Sequence, residues 1–116
     1  MSRPVQHSKT AAYAASLVVS LPSGKKDIGC LRVKGHNSSA SAQFIQIHDA
    51  AALPADAAVP VHFIKVDAAK DFDINFSDLP NGVGMPMKTG IVVCNSSTGP
   101  TKAIGAADCW FNVFWS

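Results

Sequence analysis

The chain of 116 residues contains no glutamate, and all eight of its acidic residues are aspartate. Glutamate suits exposed helix faces and aspartate suits turns and caps, so this imbalance argues against a helical protein. Charge is also scarce, at 16% of residues against 47% hydrophobic, a balance that favours extensive burial, including burial between subunits. The net charge of +2 supplies no concentrated basic patch, which excludes nucleic acid as an expected partner. No apolar run is long enough to cross a bilayer, so no membrane is expected either.

Cysteine is limited to Cys30, Cys94 and Cys109, without CxxC spacing or a zinc quartet. Free, buried thiols and a reducing compartment at the time of folding follow from that. Histidines at 7, 36, 48 and 62 show no metal-ligand spacing. There is no GxSxG elbow. GVGMP over 82–86 is not a dinucleotide fingerprint and reads as a loop, and Lys25 and Lys26 read as a solvated hairpin tip rather than part of a phosphate-binding loop. No catalytic residue, cofactor or metal is expected, and the chain is not read as an enzyme.

Arg3 and Lys9 before AAYAASLVVSL imitate a secretion signal, but no small-x-small cleavage site follows, so the segment is read as part of the folded protein. The N-x-[ST] matches at Asn37, Asn75 and Asn95 are then expected to stay unglycosylated.

What is present is a series of strands. In KDFDINF over 70–76, Phe72, Ile74 and Phe76 share one face and Asp71, Asp73 and Asn75 the other, a period of two that no helix can use. Residues 42–48 put Ile45 and Ile47 opposite Phe44, Gln46 and His48, and 61–66 form a further strand. GIVVC over 90–94 is apolar on both faces, as in a central strand or one covered by a neighbour. An N-terminal run places Tyr13, Leu17, Val19 and Leu21 together, and 27–34 supplies a short strand. The breakers are LPSG (21–24), GHNSS (35–39), DLPNG (78–82) and NSSTGP (95–100). Alanine-rich 50–58 has room for a helical turn, and Pro54 forbids a long helix.

This spacing predicts an all-β fold: a single antiparallel β-sandwich or jelly roll of seven to eight strands spanning 1–116, with an N-terminal arm over about 1–12. Through Ala40 there are six Lys/Arg against one Asp and afterwards four against seven, leaving halves of +5 and −3 that the sheets mix in space or that neighbouring subunits pair.

The chain ends in DCWFNVFWS, with Cys109, Phe111, Val113 and Trp115 on one face and Trp110, Asn112 and Phe114 on the other. Four aromatic rings are not left on a fraying tail, so this is an inner strand. Its second face, Trp110 and Phe114, together with Tyr13 of the arm, forms the candidate interface with a partner subunit.

GIVVCNSSTGPTKAIGAADCWF over 90–111 resembles the closing portion of small tailed-bacteriophage virion proteins, and QFIQIHDAAALPADAAVP over 43–60 resembles the portion before it. The resemblance implies a structural virion protein, a capsid decoration (cement) protein of β-sandwich fold. Its partners would be the major capsid protein or other virion proteins, its form a homo-oligomer, its place the capsid surface after assembly in the host cytoplasm. A tail, neck or fibre component is the alternative. A small carbohydrate-binding sandwich, with Trp110 stacking on sugar, is a reading of a different class.

Overall fold

The computed structural model describes residues 5–79 and 84–116, and shows an all-β protein built as a two-sheet antiparallel sandwich. Among the described residues there are nine strands: β1 (Gln6–Lys9), β2 (Ser16–Ser20), β3 (Ile28–Asn37), β4 (Gln43–His48), β5 (His62–Val66), β6 (Lys70–Asn75), β7 (Met85–Met87), β8 (Gly90–Ser96) and β9 (Cys109–Trp115). One sheet runs β1-β9-β3-β6, with β7 on β3 beyond the end of β6; the other runs β2-β8-β4-β5.

The two strands beyond those expected are β1 and β7. Neither QHSK nor MPM carries an apolar alternation, so neither is visible as a strand in isolation. Each exists because a neighbour offers a ladder: β1 pairs β9, from Gln6 opposite Trp115 to Lys9 opposite Asn112, and β7 pairs the start of β3. Met85 and Pro86 therefore belong to a strand and not to the loop expected over 82–86, while Gly82 and Val83 lie outside the described residues. The turn expected at 78–82 falls partly outside them too.

β3 also runs further than expected. Gly35, His36 and Asn37 do not break it, because both its edges are taken there: Gly35 stands opposite Phe72 of β6 and Phe111 of β9. Lys25 and Lys26 are exposed, but their loop joins a strand of one sheet to a strand of the other and is no hairpin. Residues 50–58 contain a tight turn and no helix; Ala57 takes a φ of 76° and the Ala58 amide donates to the Ala55 carbonyl at 3.3 Å.

The alternations place the core as expected. Phe72, Ile74, Phe111, Val113 and Val33 of the first sheet face Ile45, Ile47, Ile91, Val93 and Val19 of the second, all buried. β9 lies between β1 and β3, an interior strand whose Cys109, Phe111 and Val113 point inward. The three cysteines are free and buried. Desolvation pushes the Cys30 thiol up to about 12 and those of Cys94 and Cys109 to about 11, so thiolate chemistry is suppressed at all three.

β8 is buried along its whole length because the second sheet is covered on its outer side by two loops, 49–61 and 97–108, rather than by a helix or another sheet. The loops are stitched to one another. The Ala57 amide donates to the Lys102 carbonyl at 2.7 Å, and the Lys102 amide to the Ala58 carbonyl at 2.8 Å. The Lys102 ammonium, its side chain 3% exposed, meets Asp56 Oδ1 at 2.5 Å. Beneath them Gln46 donates to the carbonyls of Thr98, Gly99 and Thr101 at 2.8–3.1 Å, and its Oε1 accepts from His48 Nε2 at 3.0 Å.

His48 is held neutral by this arrangement: burial first, then the Lys102 charge, lower its pKa from 6.5. The unfolded chain therefore binds a proton at pH values where the folded one does not, and stability present above about pH 6.5 is lost as the pH falls toward the lower folded value. Asp56 titrates lower than usual because Lys102 and the Ile104 amide bond it, so its share is lost only in a second step, below 3.8. Urea unfolding between pH 8 and pH 5 is expected to show the first step, and His48→Gln to flatten it; an unchanged slope in that variant would show that His48 does not carry it.

Candidate interaction surface

The outer face of the first sheet is built from alternate residues of four strands. β9 contributes Trp110, Asn112 and Phe114; β3 contributes Arg32, Lys34 and His36; β6 contributes Asp71, Asp73 and Asn75; β1 contributes His7 and Lys9. Register sets them in rows: His7, Phe114, Arg32 and Asn75 in one, Lys9, Asn112, Lys34 and Asp73 in the next, Trp110, His36 and Asp71 in the third.

Side chains close these rows. His7 lies parallel on Phe114, ring centroids 4.5 Å apart and planes 4° apart, and its Nε2 donates to Asn112 Oδ1 at 3.0 Å. Arg32 holds Asp73 with two bonds of 2.8 and 2.5 Å, the bidentate geometry guanidinium favours. That bond raises the Arg32 pKa and keeps the Asp73 carboxyl below its ordinary range. His36 Nδ1 donates to Asp71 Oδ1 at 2.6 Å while its ring stacks on Trp110, centroids 6.0 Å apart.

Of the expected interface residues, the fold joins two and sets the third apart. Tyr13 is 55% exposed and, with Thr10, Ala11, Ala12 and Trp110, lines a groove of about 460 Å³. Trp110 also borders a second groove of about 350 Å³, with Lys34, Gly35, Asp71, Phe72 and Asp73. Phe114 is half-buried two rows away, its ring covered by His7 of the same chain.

A second surface was not foreseen. Val59, Val61 and Phe63 alternate along the approach to β5 and along β5 itself, 74%, 50% and 42% exposed, at the last strand of the second sheet among the described residues. Leu53, from one of the covering loops, is also exposed. The signal was in the sequence, since VHFIKV is apolar on both faces: Ile64 packs against the core while Phe63 takes the outer face beside Phe44, ring centroids 6.2 Å apart.

Among the described residues no group of three or more His, Cys, Asp or Glu side chains is arranged to hold a metal ion. Comparison with known protein families, with curated proteins and with solved structures found no match.

Proposed function

We propose that the chain is a structural virion protein of a tailed bacteriophage, a decoration protein that stabilises the capsid by bridging neighbouring major capsid subunits. The observation that carries this reading is the Val59–Val61–Phe63 stripe: an apolar row leading into the strand that ends the second sheet among the described residues, of the kind soluble proteins avoid unless a partner covers it. The stripe belongs to a rigid body, because the 49–61 loop that leads into it is fastened to the 97–108 loop by backbone bonds and by Lys102–Asp56. The two segments that carry the sequence resemblance, 43–60 and 90–111, are the ones this stitching joins. Such a protein works by burial: opening the shell must also break its contacts, and repetition as a symmetric oligomer multiplies a modest energy per site.

Co-sedimentation with capsids lacking the protein tests the reading. Wild type is expected to bind, and Phe63→Ser to bind about thirtyfold more weakly, the loss of roughly 2 kcal/mol at an apolar anchor. Absence of wild-type binding to capsids, or density for the protein on the tail in a virion reconstruction, would displace the shell assignment.

A further inference from the structure

The stripe leaves the Trp110 surface unused, on the outer face of the other sheet. The geometry points to a binding site there for neutral oligosaccharides, with Trp110 as the stacking platform and the two grooves beside it as flanking subsites.

The indole borders both grooves, about 460 and 350 Å³, so a ligand stacked on it has room to continue on either side. That suits a chain of rings better than one small molecule. Pocket walls are mixed: Ala11, Ala12, Tyr13 and Trp110 supply apolar surface, and Thr10, Lys34, Asp71 and Asp73 supply hydrogen-bonding groups at its margin. A pyranose has that same division, a C–H face that packs on an aromatic ring and a rim of hydroxyls that both donate and accept.

Charge selects against other classes. Lys9, Arg32 and Lys34 on this face stand against Asp71 and Asp73, a near balance, and Arg32 is already committed to Asp73 at 2.5 Å as His36 is to Asp71 at 2.6 Å. Among the described residues a polyanion finds no concentrated positive field, and an apolar helix would have to strip water from the Arg32–Asp73 ion pair and the His36–Asp71 hydrogen bond. A neutral polyol replaces that water bond for bond. Asp71 is placed to take part, since it gives one oxygen to His36 while its side chain remains 82% exposed. Platform and acceptor are pre-set, because His36 fixes both the indole by stacking and the carboxylate by hydrogen bonding.

The test is NMR titration of the free protein with cellohexaose, mannohexaose, chitohexaose and maltohexaose, with heparin as the anionic comparison. At least one neutral hexasaccharide is expected to bind, shifting the indole N–H resonance of Trp110. Trp115 serves as the internal reference, because its Nε1 donates to Ser8 Oγ at 3.1 Å on the same chain. Trp110→Ala is expected to weaken binding at least about tenfold. Tyr13→Ala, at an exposed position outside any strand, is expected to weaken it severalfold. No binding of any of the four, binding that survives Trp110→Ala, or binding of heparin alone would overturn the assignment. The experiment needs no virion, so its failure leaves the shell reading standing, and the reverse.

Discussion

Gly35→Ala is expected to cost about 3 kcal/mol of folding stability, through overpacking that the neighbours cannot relieve. A Cβ at this position falls 2.1 Å from the Trp110 carbonyl oxygen and 2.4 Å from a ring carbon of Phe72. Neither obstacle is a flexible chain end. The carbonyl belongs to the backbone of β9, and Phe72 is buried and tilted against Phe111 at 6.0 Å between centroids. Gly24→Ala is the control: its φ of +83° carries a backbone penalty of about 1 kcal/mol, but nothing lies within 4 Å of the added methyl. Urea unfolding should separate the two variants clearly. Phe72→Leu in the Gly35→Ala background is expected to restore only part of the loss, since the carbonyl contact persists. Equal costs at positions 24 and 35 would show that backbone freedom, and not the approach of β9 and Phe72, is what demands glycine in β3.

The same residue shows why some of the fold was legible and some was not. A strand that satisfies its own pattern can be read from its own residues: Phe72, Ile74 and Phe76 alternate with Asp71, Asp73 and Asn75, and the sheet buries the first set. GIVVC announced burial on both faces, and β8 has it. Gly35 looks like a breaker because glycine is a poor strand former in isolation, yet its backbone is the surface on which a ring from the next strand lies. That reason sits 37 residues further along the chain, in Phe72, and no local window contains it. β1 and β7 were hidden likewise, their pairing being set by the edges of β9 and β3.

The surfaces divide along the same line. Trp110 could be placed on an outward face because it alternates with the inward Cys109 and Phe111, and it lies there. That His7 would cover Phe114 could not be counted, because it depends on the register between the first and last strands, 107 residues apart at His7 and Phe114. The rows Trp110–His36–Asp71 and Asn112–Lys34–Asp73 likewise need three strands aligned at once. Cover over the second sheet was the least legible feature, for loops 49–61 and 97–108 carry no periodicity, and the second is seated on side chains of two strands, the Gln46 carboxamide of β4 with its three carbonyl partners and Asn95 and Ser96 of β8.

Gln46→Ala is therefore expected to have an effect of similar size, about 3 kcal/mol, by a different route. The Gln46 carboxamide is fully buried, and its two protons are shared among the Thr98, Gly99 and Thr101 carbonyls. Its oxygen receives the His48 Nε2 hydrogen. Truncation takes the side-chain donor from the Gly99 carbonyl and the acceptor from His48, and leaves the Thr98 and Thr101 carbonyls with the Ser96 and Thr98 hydroxyls alone, at a buried site where unmade bonds cost more than the lost bonds themselves. Gln46→Glu keeps the shape but replaces two donors with acceptors facing three carbonyl oxygens, so it should be worse than Gln46→Ala. The Lys102 ammonium, which already acts on His48, does not reverse that order, because Asp56 holds it at 2.5 Å. The damage should be local before it is global: in native-state exchange, the amides of Ala57, Ser97 and Lys102, which close the two loops on each other and on Ala103, are expected to lose protection first. Gly99 lies against the Phe44 and Phe63 rings, so release of its loop also unsettles the stripe proposed to dock on the shell. Unchanged exchange at those three amides in Gln46→Ala would mean the loops hold themselves in place, and the rigidity ascribed to the stripe would need another source.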